Sequence, residues 1–125
     1  MNLKKNKITK SSVYNELLLN SNKVVGKYFV IVYKTNITKH DKTDELVNLN
    51  FGITASKKVG NAVKRNWCKR RIRLLINQIN IKDFTKAFYI NIIARKFMID
   101  KSFSLLKKDF DFCIKKITNY EKKSN

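Results

Sequence analysis

Between Ala62 and Ile79 a single apolar stripe limits the architectures open to this chain. At about 100° per residue, Cys68, Ile72, Leu75, Ile76 and Ile79 fall on one narrow line of a helix. So narrow a line must be laid on an apolar surface, and the flanking segments supply one. Val47–Ala55 (VNLNFGITA) alternates, with Leu49, Phe51, Ile53 and Ala55 on one face and Asn50, Gly52 and Thr54 on the other. That is the pattern of a half-buried strand. A glycine on its polar face predicts the close approach of another backbone. Ala87–Ala94 (AFYINIIA) is a further strand, and Tyr28–Lys34 (YFVIVYK) is a third, rich in aromatic and β-branched residues.

Helix signals complete the order. Ser11 or Ser12 can cap a first helix in which Val13, Tyr14, Leu17 and Leu18 share a face, and Asn20–Asn22 ends it. Thr35–Glu45 is polar, holds the only histidine, His40, and reads as a loop. Gly60 and Asn61 break the chain before the long helix. Ser102 caps a last amphipathic helix with Leu106, Phe110, Cys113, Ile114 and Ile117 at helical spacing. The order α-β-β-α-β-α, with an extra short strand near Val24, predicts an α+β fold. We expect a small two-layer sandwich of a mixed three- to four-stranded sheet with about three helices. The 125 residues form one domain, 1–125, with flexible basic tails at 1–7 and 119–125.

Charge narrows the function. A formal +19 strains a compact fold by self-repulsion unless a polyanion neutralises it. Of 28 basic residues only five are arginines, and four of those fall within Arg65–Arg73. A chain that otherwise defaults to lysine thus uses arginine where a planar, multi-donor fork suits phosphates and bases. No acid occurs from Leu46 to Lys82, so the helix lacks the i,i+4 pairs of a merely solvated face. Free backbone N–H groups near Asn61–Val63 add an anion-binding turn, where Gly60 would admit a ligand's backbone.

Other classes fit poorly. No apolar run approaches the roughly 18 residues of a spanning helix, and a cytoplasmic chain without membrane association is expected. Cys68 and Cys113 lie 45 residues apart in the sequence and read as reduced, partly buried thiols. One histidine cannot complete a zinc site. A protein-only, metal-dependent nuclease would need a cluster of carboxylates or histidines. The acids here are scattered: Asp41, Asp44 and Glu45 in the loop, and Asp109 and Asp111 on different faces of the last helix, read as solvated charge.

The run FGITASKKVGNAVKRNWCKRRIR, with FVIVY upstream and INIIARK downstream, resembles the bacterial ribonuclease P protein subunit from about Ile8 to Ile117. The resemblance implies three or four strands and three helices with a left-handed β-α-β crossover. It also implies that the protein binds the catalytic RNA subunit and assists removal of the 5′ leader from precursor tRNA. Catalysis and magnesium would then belong mainly to the RNA, with no cofactor on the free protein and no protein partner required. Positions matching the family's RNA-facing surface are Lys57, Lys58, Asn61, Arg65, Asn66, Lys69, Arg70 and Arg73. Trp67 replaces the last residue of an arginine-asparagine-arginine signature, and either stacks on a base or packs on a neighbouring loop. The leader cleft would comprise Tyr14, Leu18, Val30, Val32 and Thr54, with Leu18 and Val32 where aromatics are common. Two other readings compete: a structural RNA-binding protein of the ribosomal type, and a peripheral protein of anionic membranes, with Trp67 and Leu74 as its exposed apolar residues.

Overall fold

The structure is a computed structural model that describes residues 5–19, 21–35, 49–84 and 87–123. Most of the expected Thr35–Glu45 loop, with His40, Asp41, Asp44 and Glu45, lies outside the described residues. In chain order the elements are β1 (Lys5–Lys7), α1 (Ser11–Leu19), β2 (Asn22–Val25), β3 (Phe29–Thr35), β4 (Leu49–Thr54), α2 (Ala62–Asn77), β5 (Phe88–Ala94) and α3 (Phe103–Lys123). The five strands form one mixed sheet in the order β1-β4-β5-β3-β2. Neighbours β1, β4 and β5 are parallel, while β3 is antiparallel to both β5 and β2. The fold is α+β, with α2 crossing between the adjacent parallel strands β4 and β5.

Among the described residues the sheet has five strands where three to four were expected, because Lys5–Lys7 pairs alongside β4 instead of belonging to a tail. Its sequence, KNK, has no period to betray it. Pairing with β4 creates the strand, and Ile8 extends it by donating its N–H to the Phe51 carbonyl at 2.7 Å. Lys5 then reaches the C-terminus of α2, its Nζ 2.8 Å from the Asn77 carbonyl, where a cation opposes the helix dipole. At the other end of the chain α3 runs to Lys123, well into the segment expected as a tail.

Helices cover both faces, so the two-layer expectation gains a thin third layer. Phe29, Ile31 and Tyr33 of β3 point into the main core with Phe88, Ile90 and Ile92 of β5, beneath α2 and α3. Val32 and Tyr89 point the other way and meet Val13 and Leu17 of α1, with Ile8, in a smaller cluster. The near-continuous apolar run of β3 is the signature of a strand buried on both faces. The α2 stripe lies on the sheet as expected, with Cys68, Ile72 and Ile76 fully buried and Leu75 nearly so. Both cysteines are free and buried.

The cap expected at Ser102 forms, the one expected at Ser11 or Ser12 does not, and Asn61, read only as a break, is a cap as well. The Asn61 side-chain oxygen accepts from Lys64 N–H at 3.0 Å, and Ser102 Oγ accepts from Leu105 N–H at 3.3 Å. Ser11 and Ser12 lie inside α1, whose first bonds run from Val13 and Tyr14 to the Lys10 carbonyl. Lys10 therefore holds the cap position.

Candidate nucleic-acid interface

With its stripe committed to the core, α2 must present its cations outward. Asn66, Arg70 and Arg73 are exposed, and Arg65 and Lys69 are half-buried at the flanks. The described ion pairs lie elsewhere, joining Lys34 to Glu16 and Lys107 to Asp111. Among the described residues, no α2 cation has a carboxylate within salt-bridge reach.

The turn before α2 extends this surface. Val59 is buried and anchors it, while Val59 N–H and Gly60 N–H close it on the Ser56 and Lys57 carbonyls at 3.0 and 3.2 Å. Lys57 and Lys58 are thereby left exposed beside the helix start. Gly60 has φ 142°, a conformation that L side chains rarely adopt. The glycine is needed for the backbone, since the Lys64 side chain occupies the space expected for a ligand. Asn61 is exposed but spends its side-chain oxygen on the cap.

Trp67 packs on protein. It is half-buried against the main core, with the Arg71 guanidinium 5.2 Å from its ring centroid. Beside it, Val63, Ile99 and Asp100 help line a recess of about 170 Å³. Arg71 escaped sequence reasoning as a site residue; the signal was its i,i+4 distance from Trp67.

On the opposite face of the sheet, the ends of α1, β3, β4 and β5 form a shelf. Tyr14 is half-buried with its ring seated on Gly52, and its phenol is pushed up by burial against an opposing backbone hydrogen bond from Ile53. A side chain thus makes the close approach expected of a backbone. Beyond Tyr14 the register aligns Val30, Ile93 and Thr54 in one cross-strand row. All three are half-buried, spanning roughly 10 Å at the usual strand spacing. Asn91 Nδ2 donates to Thr54 Oγ1 at 3.1 Å and fixes that hydroxyl.

Three of the five expected cleft residues therefore border one surface: Tyr14, Val30 and Thr54. Val32 does not. It is 8% exposed and belongs to the cluster beneath α1. Leu18 is 59% exposed on the outer part of α1. Ile93 and Asn91 were missed, although the alternation of β5 puts them on this face with Tyr89.

The expectation for the last helix divides. Asp111 is a solvated charge paired with Lys107 at 3.1 Å. Asp109 is 9% exposed, and its two oxygens accept from the Lys27 and Tyr28 N–H groups at 3.0 and 2.8 Å. It is a structural clamp on the β2–β3 turn. Among the described residues no three His, Cys, Asp or Glu side chains come together, so they do not fit a magnesium site. What the arrangement offers is a cationic helix on one face and, on the other, a shelf of apolar, hydroxyl and phenol groups suited to an extended single strand.

Comparison with known proteins agrees with this geometry. The family model described as Ribonuclease P matches residues 3–118. The ribonuclease P protein component of Mycoplasma capricolum is 32% identical over 117 residues, covering 92% of this chain and 99% of that one. That of Bacillus velezensis is 31% identical over 122 residues, covering 98% and 97%. The structure of the Staphylococcus aureus RNase P protein superimposes with a TM-score of 0.69 at 28% identity, covering 87% of this chain and 92% of that one. The RNase P protein from Thermotoga maritima shares the fold, with a TM-score of 0.60 at 23% identity over 77% and 83%.

Proposed function

Because this chain belongs to the ribonuclease P protein family, we propose that it acts by charge and shape and catalyses nothing alone. It is a subunit of ribonuclease P, the enzyme of tRNA 5′ processing, and its partner is the ribonuclease P RNA. The outward face of α2 carries the reading: among the described residues its arginines and Lys69 have no counter-charge, which leaves them to meet phosphates. Lys57, Lys58, Asn61, Arg65, Asn66, Lys69, Arg70 and Arg73 dock the RNA subunit, with Trp67 holding Arg71 in place at the edge.

Precursor tRNA is the second partner. Its single-stranded leader lies along the shelf of Tyr14, Val30, Ile93 and Thr54, with Leu18 at the rim. The cations of α2 and of the Lys57–Lys58 turn lower repulsion between the two RNAs. Magnesium belongs to the RNA, which performs the cleavage, and no other protein is required. No described helix is long and apolar enough to cross a membrane, and the cytoplasm, where tRNA precursors are made, is the proposed location.

Binding of the cognate RNA subunit measured across salt concentrations tests the electrostatic reading. The affinity should fall linearly on a log–log plot, with a slope tracking the phosphates neutralised. A salt-insensitive affinity would sink it.

A further inference from the structure

Of the exposed apolar residues that neither RNA docking nor leader binding uses, four lie in or beside one groove. Val25, Leu105, Phe112 and Phe97 are each between 46% and 56% exposed. The first three line a groove of about 570 Å³ between the β2–β3 turn and α3, and the fourth lies beneath Arg95, whose guanidinium is 5.2 Å from its ring centroid. That volume is in the range of sites for small organic ligands. Tyr28 contributes a half-buried aromatic wall.

The groove is rigidly built. Asp109 clamps the turn through the N–H groups of Lys27 and Tyr28, and Arg95 Nη1 donates to the Gly26 carbonyl at 2.7 Å from the other side. A Cβ at Gly26 would lie 2.7 Å from both Asp109 and Cys113, so α3 presses directly on the turn. Such a wall is ordered before any ligand arrives.

Its charge selects the occupant. Lys27, Arg95 and Lys108 surround the apolar floor, and Asp109, the one acid among its described lining residues, has both oxygens engaged by backbone N–H groups. Among the described residues neither lysine has a carboxylate partner. An apolar floor with an uncompensated cationic rim fits an aromatic anion, and a nucleotide is one.

Position selects which RNA. Phe29 at the start of β3 pairs with Ala94 at the end of β5, and β4 runs parallel to β5. The β2–β3 turn, Arg95 and the Lys57–Lys58 turn therefore all lie at one end of the sheet. The groove faces α3, on the side of α2 and away from the leader shelf.

We propose that this groove is a second contact for the ribonuclease P RNA, seating one unstacked nucleotide with its base against Tyr28 and Phe112 and its phosphates against Lys27 and Lys108. Lys116 holds one face of Phe112, its Nζ 4.6 Å from the ring centroid, and the base takes the other. The proposal rests on the reading that this chain binds that RNA.

The full chain, bound to RNA subunit carrying 4-thiouridine, is irradiated and its crosslinked peptides are mapped. In parallel, RNA-subunit affinity is measured across salt for the wild type, Arg70→Ala, Phe112→Ala and a Lys27→Gln/Lys108→Gln double variant. All of these residues are exposed, so the fold should survive. Crosslinks at Tyr28 or Phe112 are expected, with roughly tenfold weaker binding for Phe112→Ala and a salt slope lower by roughly 2 for the double variant. Unchanged affinity and slope in the groove variants, with Arg70→Ala still weakened, would overturn this proposal alone. A wild type that binds no RNA would overturn the underlying reading as well. Crosslinks arising only from a 4-thiouridine leader would transfer the groove to precursor tRNA and refute the assignment. Self-association abolished by Phe112→Ala, with RNA affinity intact, would refute it in favour of a second copy of the chain.

Discussion

Tyr14 of α1 sits directly on Gly52 of β4: a Cβ added at Gly52 would lie 2.6 Å from ring carbon Cζ. The contact joins α1 to the sheet and sets the inner wall of the shelf proposed for the leader. It also explains why the polar face of β4 holds a glycine. The space belongs to an aromatic ring that could stack on a base.

Gly52→Ala should therefore displace Tyr14. We expect a loss of about 1–3 kcal/mol from overpacking and weaker binding of leader-bearing tRNA, with affinity for the RNA subunit unchanged. Tyr14→Phe keeps the ring and loses only the hydrogen bond its oxygen accepts from the Ile53 backbone, for about 1 kcal/mol. Denaturant midpoints, alongside affinities for precursors with and without a leader, separate the two effects.

Asp109 and Asp111 should behave differently despite their spacing. Asp109→Ala orphans the Lys27 and Tyr28 N–H groups and should cost about 2–4 kcal/mol. Asp111→Ala removes only a surface pair with Lys107 and should stay within about 0.5 kcal/mol. Thermal unfolding of the two variants makes the comparison. Equal losses would contradict the clamp.

Alkaline pH should expose the buried thiols. Burial, reinforced by the Asp109 charge and partly offset by Lys116, pushes Cys113 from 9.0 to about 12. Burial raises Cys68 as well. A raised thiol pKa means that the unfolded chain releases its proton first. The stability contribution is complete below about pH 9 and is lost as pH rises toward 12, at about 1.4 kcal/mol per pH unit for Cys113. Urea midpoints from pH 8 to 10.5 should show this decline, and Cys113→Ala should flatten it. Thiol reagents should label neither cysteine until the chain unfolds.

Single substitutions on the outer face of α2 should weaken RNA binding without touching the fold. Arg70→Ala and Arg73→Ala should each lower the salt slope by roughly 1, with stability held within about 0.5 kcal/mol. A shift in unfolding midpoint comparable to that of Asp109→Ala would mean that these arginines serve the protein instead of the RNA.

Much of the interface was legible because it depends on local chemistry. The apolar line of α2 and the arginine cluster are periodic or short-range, and both lie where expected, with α2 ending at Asn77 instead of Ile79. Features created by tertiary contact were not. KNK at Lys5–Lys7 becomes a strand only through β4, and Asp109 looks like any helical acid until the β2–β3 turn folds against it. Val32 entered the cleft through the family resemblance, and a matched position does not report how far α1 extends over that face. Ile93 was passed over although the alternation of β5 puts it on that face, where it lies half-buried against the cluster under α1.

The most direct test of the central claim is precursor-tRNA cleavage at low magnesium by the cognate RNA subunit, with and without this protein, beside the protein alone. We predict a large protein-dependent gain at the mature 5′ end, reduced in Arg70→Ala and Gly52→Ala, and no cleavage by the protein alone. Cleavage by the protein alone, or no gain while RNA binding is intact, would contradict the account.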